Sequence, residues 1–147
     1  MQATGAVALL AVGTASATSA THDGSPPPTA AAYRAQANAI CAAANQESNA
    51  RPAGLTRSAA IADGLKIARN VYASLRRLTP PSELAQLHAE VLANIKTGLR
   101  LVSKLLDRAK AGGLTAKQFA TNHALDENVS RRTALWKKIR VAACGGH

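Results

Sequence analysis

Lys96, Arg100, Lys104 and Arg108 recur every four residues. On an α-helix that interval stacks four cations into one ridge, because residues four apart are surface neighbours. A cationic ridge can hold anions: the phosphates of nucleic acid, anionic lipid headgroups or an acidic wall polymer. The competing reading is a solvated helix face whose charge serves solubility. The chain of 147 residues has 18 Lys+Arg against 8 Asp+Glu, a formal net charge of +10. Residues 57–140 hold 16 basic and 6 acidic residues, which accounts for the whole excess. Residues 21–54 balance Asp23 and Glu47 against Arg34 and Arg51. Lys66, Arg69, Arg76 and Arg77 precede the ridge, and Arg131, Arg132, Lys137, Lys138 and Arg140 follow it. Nucleic-acid readers usually add aromatic stacking platforms to such charge. Here Tyr33, Tyr72, Phe119 and Trp136 fall on expected core positions instead.

Cys41 and Cys144 are the two cysteines. In an oxidising compartment they are expected to pair, closing a loop of about 100 residues; inside a reducing cell they would remain free thiols. No Cys-His-Asn arrangement suggests a nucleophilic thiol. His22, His88, His123 and His147 are scattered. His88 lies on an apolar stripe and reads as a half-buried, hydrogen-bonded histidine. No His-x-x-x-His or Glu-x-x-His pair offers metal-ligand spacing, so no metal is expected. Glu83 and Glu90 read as exposed carboxylates rather than an acid/base pair. Gly-x-Ser-x-Gly, Walker A and Gly-x-Gly-x-x-Gly patterns are missing. Neither an enzyme nor a cofactor is expected.

The elements that must position these residues are helical. Residues 1–20 are uncharged, and an apolar stretch leads to Ala15-Ser16-Ala17, as at the end of a secretory signal peptide. The usual basic n-region is missing, so either the start lies upstream or the segment is an alanine-rich leader. Residues 21–29, with Pro26-Pro27-Pro28, read as an extended linker. Residues 30–147 read as one helical domain, too short for two well-packed cores.

The first helix spans 30–47, capped by Thr29, with Tyr33, Ala37, Ile40, Cys41 and Ala44 on one face. The second runs from Arg57 to Leu78 along Ile61, Leu65, Ala68, Tyr72 and Leu75. Thr79-Pro80-Pro81 stops it, because a residue before proline avoids the α region. The third is expected from Pro80 to Ala111. Its Leu84, His88, Val91, Ile95, Leu99, Val102 and Leu106 fall within about 40° of one another's mean, with the four ridge cations opposite. Gly112-Gly113 ends it. Thr115 and Gln118 form a capping-box signature for a fourth helix, with Phe119, Leu125, Val129, Trp136 and Ile139 as its apolar positions. The stretch 122–128 is weak enough to kink that helix. Four amphipathic helices with short connections predict an all-α, antiparallel up-down four-helix bundle.

Three segments carry a resemblance. They are Tyr33-Arg34-Ala35-Gln36-Ala37-Asn38-Ala39-Ile40-Cys41-Ala42-Ala43-Ala44-Asn45, the junction Leu75-Arg76-Arg77-Leu78-Thr79-Pro80-Pro81-Ser82-Glu83-Leu84, and the ending from Trp136 to Cys144-Gly145. Together they resemble a loose group of small exported helical proteins of high-GC Gram-positive bacteria. The group has no established activity. The resemblance implies secretion and a disulfide-closed bundle; it does not imply the basicity. The combined expectation is an extracytoplasmic binding or structural module of the cell envelope, meeting an anionic polymer or membrane surface through its basic face. The alternative is an intracellular nucleic-acid-associated protein.

Overall fold

The computed structural model describes residues 28–145. The expected signal peptide at 1–20 and most of the linker at 21–29 lie outside the described residues. All regular structure within 28–145 is helical. In chain order it comprises α1 (Ala30–Asn49), α2 (Arg57–Leu75), a 3-10 turn at Ser82–Leu84, α3 (Ala85–Lys110), α4 (Ala116–Ala120), α5 (His123–Ile139) and a second 3-10 turn at Ala142–Cys144.

Local sequence sets most of the ends. The Thr29 side chain accepts from the Ala32 N–H at 3.1 Å, and Thr56 does the same for Ala59 at 3.3 Å. These bonds satisfy donors that the first helical turn leaves unpaired. Thr115 and Gln118 cap each other reciprocally, at 2.9 and 3.2 Å. At the end of α3, Gly112 takes φ 72°, which glycine adopts without a Cβ penalty. Its N–H donates to Ala109 O while Gly113 N–H donates to Arg108 O. The end of α5 makes the same kind of turn with Arg140 at φ 66°.

Two expected helices change. The third begins as a 3-10 turn and becomes α-helical only at Ala85, because Pro80-Pro81 holds an extended entry, with Pro81 at ψ 158°. The fourth is two helices. Thr121 ends α4, and the Asn122 side chain accepts from Leu125 N–H at 3.0 Å to start α5 afresh. Asparagine competes for helical backbone donors in this way, so the weak stretch becomes a break.

The core has two tiers. One collects Tyr33 and Ala37 of α1, Leu75 of α2, Leu84, Val91 and Ile95 at the start of the third segment, and Leu135, Trp136, Ile139 and Val141 at the C-terminal end. The other joins Ile61 and Leu65 from the start of α2 to Leu105, Leu106 and Leu114 around the end of α3, with Phe119 and Leu125 packed against it. α3 is therefore central: its first half serves one tier and its second half the other. The buried set of α1 is a single narrow row, Tyr33, Ala37 and Cys41, spaced by four.

Candidate functional site

The ridge, the cysteine pair and the interior of α3 and α5 are the three places where chemistry-bearing side chains meet. Lys96, Arg100, Lys104 and Arg108 are all exposed on α3, on the side away from its buried row. Arg100 donates to Thr97 Oγ1 at 3.2 Å. Among the described residues one ion pair forms, Arg51 to Asp63 at 3.9 Å, so no ridge cation is neutralised by a carboxylate within 4 Å.

Cys41 and Cys144 lie at disulfide distance, with their Cα atoms 5.2 Å apart across 103 residues of sequence. Cys41 sits well inside α1, and the tail turns back along that helix to reach it. Two hydrogen bonds fix the return: Ala143 N–H donates to Asn38 Oδ1 at 3.0 Å, and Asn45 Nδ2 donates to Ala143 O at 3.1 Å. Arg34 Nε adds a bond to Ile139 O at 2.8 Å. Asn38 and Asn45 thus act as a clamp on either side of Cys41.

His88 is 7% exposed, and its Nδ1 lies 2.8 Å from the hydroxyl of Tyr33, itself 1% exposed. The rings meet edge to face at 5.6 Å. Burial lowers the His88 pKa below the usual imidazole value, and burial pushes the Tyr33 hydroxyl up to about 12. Both groups are therefore neutral near pH 7, and the tautomer of the neutral imidazole sets which of the two donates. Linkage then gives two limbs of opposite sign. His88 is depressed in the fold, so its contribution is present above about pH 6.5 and is lost as pH falls below that value. Tyr33 is raised, so its contribution is complete below about pH 10 and is lost as pH rises towards 12. Melting temperature followed against pH should show both limbs. Tyr33→Phe should flatten the alkaline one.

Between α3 and α5, Asn94 Nδ2 donates to Asn128 O at 3.2 Å and Asn128 Nδ2 donates to Asn94 O at 3.0 Å. Both side-chain oxygens remain without a hydrogen-bond partner. Gly98 makes room for this exchange: a Cβ there would sit 2.6 Å from Asn128 Oδ1.

Arg132 corrects the sequence reading. The basic stretch from Arg131 to Arg140 reads as one charged surface, but Arg132 is half-buried, whereas Arg131, Lys137, Lys138 and Arg140 are exposed. Burial lowers its pKa below the usual arginine value. The signal was present in the spacing, since Asn128, Arg132 and Trp136 share one four-residue row and its two flanking members are buried. Val129, expected in the core, is instead 40% exposed. No group of three or more metal-ligating side chains occurs among the described residues, and no helix there is long and apolar enough to cross a membrane.

These features define a small all-α helical protein with a cysteine pair at disulfide distance and an exposed basic ridge. In comparisons with known proteins, no family model, curated protein or solved structure matches the chain.

Proposed function

We propose that the chain is an exported, non-enzymatic binding or structural module of the cell envelope whose α3 ridge contacts an anionic polymer or membrane surface. The observation that carries this reading is the ridge itself: four exposed cations on one helix, none with a carboxylate within 4 Å among the described residues. An unneutralised row of charge attracts a polyanion and is screened by salt. The paired cysteines support an oxidising compartment over an intracellular, nucleic-acid-associated role. We read the architecture as an antiparallel up-down bundle closed by the Cys41–Cys144 disulfide. The start of α2 meeting the end of α3 in one tier, and the start of α3 meeting the end of α5 in the other, supports that topology.

A salt titration tests the reading. Binding to anionic vesicles or an acidic wall polymer should be measurable at about 50 mM salt and fall steeply as salt rises. The variant with Lys96, Arg100, Lys104 and Arg108 all changed to Gln should keep its helical circular dichroism. It should also reduce the slope of log affinity against log salt by about three. No binding to either probe at low salt overturns the proposal. Duplex DNA bound more tightly than both at matched salt would transfer it to the intracellular alternative.

A further inference from the structure

Two open clefts meet at Arg132. One, of about 230 Å³, reaches from the cysteine pair past Asn45, Val71, Leu75 and Trp136. The other, of about 170 Å³, lies between Gly98, Leu99, Val102, Leu125 and Asn128. Both are lined by Ala68, Ile95 and Arg132, so the arginine stands at their junction. Most of the lining side chains are aliphatic or aromatic, with Asn45, Asn128 and the cysteine pair as the uncharged polar exceptions. Asn45 is committed to Ala143 O. Asn128 Oδ1 has no partner.

Arg132 is the one charged side chain lining either cleft. A guanidinium partly withdrawn from water is stabilised there by a counter-charge or a set of acceptors. Among the described residues no carboxylate lies within 4 Å of it, and no side-chain hydrogen bond there involves it. Its Nη1 would lie 3.9 Å from a Cβ on Gly98, near Asn128 Oδ1, yet that oxygen does not accept from it. A single permanent cation in a mostly apolar cleft suits an amphiphile with one charged head and an apolar tail.

We propose that the Arg132 cleft binds a single-chain organic anion, a medium-chain carboxylate, with its head on the guanidinium and its tail between α2, α3 and α5. This site is separate from the α3 ridge and does not depend on it. The two differ in kind, since the ridge would hold a polyanion at the surface and the cleft a small amphiphile inside.

Trp136 is the only tryptophan and lines the larger cleft, so its fluorescence reports occupancy. The probe is decanoate brominated on its chain, titrated into the full chain below its micellar concentration. Saturable quenching of Trp136 is expected. The equally brominated alcohol should bind about tenfold more weakly or worse, because it lacks the charge-assisted bond. Acetate and inorganic phosphate should fail to displace the probe, and the four-glutamine ridge variant should bind it as the parent does. Arg132→Gln should lose about tenfold or more in affinity while melting no lower than the parent, since an unpaired, half-buried cation is removed. Absence of saturable quenching overturns the proposal, as would follow if Arg132 turned onto Asn128 Oδ1 in solution. Equal affinity for acid and alcohol overturns the role of charge, and displacement by acetate overturns the role of the tail. Both comparisons use the parent protein, so they decide the matter even where Arg132→Gln fails to fold.

Discussion

Replacing Cys41 and Cys144 together by alanine should lower the unfolding free energy by about 4–5 kcal/mol. The link joins residues 103 apart in sequence. Cross-linking a loop of that length removes a large set of extended conformations from the unfolded chain, and most of the stabilisation comes from there. The native state should change little, because the Asn38 and Asn45 clamp holds Ala143 whether or not the sulfurs are joined. Urea unfolding of parent and variant, with the parent repeated in reductant, measures the effect. The reduced parent should exceed the variant by no more than about 1–2 kcal/mol, since Cys144 is half-buried and only the buried Cys41 loses core packing to alanine. Native parent protein should have an intact mass two hydrogens below the reduced formula. A shift under about 1 kcal/mol would mean that the sulfurs are not linked in the folded protein or that the unfolded chain is already compact.

That effect matters because of how α1 is held. Its buried row is Tyr33, Ala37 and Cys41, and only the first is large. Alanine contributes little apolar area, so α1 depends on fewer strong contacts than α3. The Tyr33–His88 bond fixes it near its start, and the cysteine pair fixes it in the middle. The ridge-bearing helix needs no such staple, since its buried residues run from His88 to Leu106 through both tiers. The sequence division between a neutral, cysteine-bearing helix and a basic remainder thus has a mechanical counterpart.

Which features were legible follows from the range of the interaction that fixes each. Thr29, Thr115 with Gln118, and Gly112-Gly113 act within one turn, and each does what its residue type dictates. The ridge follows from four-residue spacing alone. Asn122 is also local, but the weak stretch it opens reads as a kink in one helix, whereas its side chain caps the next. The hydrogen bond between Tyr33 and His88 crosses 55 residues, and the Asn94–Asn128 exchange crosses 34. Neither partner could be named before the helices were placed. Arg132 was hidden differently: a charged residue in a basic stretch reads as surface, although its row points inward.

Gly64 and Gly98 should respond to alanine with opposite signs, and the reason is the asparagine pair. Both are interior helical residues with ordinary backbone conformation, so propensity alone predicts a gain of about 1 kcal/mol at each. At Gly64 the nearest outside atom to a new Cβ is Arg51 Nη1 at 3.5 Å, an ordinary contact. Gly64→Ala should therefore stabilise by about that amount. At Gly98 the new Cβ meets Asn128 Oδ1 at 2.6 Å. The oxygen cannot swing away freely, because the same amide donates to Asn94 O while Asn94 Nδ2 donates to Asn128 O. Relief requires moving α3 from α5 or breaking a buried exchange, so Gly98→Ala should destabilise by about 1–3 kcal/mol net. A double-mutant cycle isolates the cause. In an Asn128→Ala background the obstruction is gone, and Gly98→Ala should become neutral or stabilising. If it destabilises there as much as in the parent, the conflict lies with the packing of the helix backbones, and the asparagine exchange is not what requires glycine at this position.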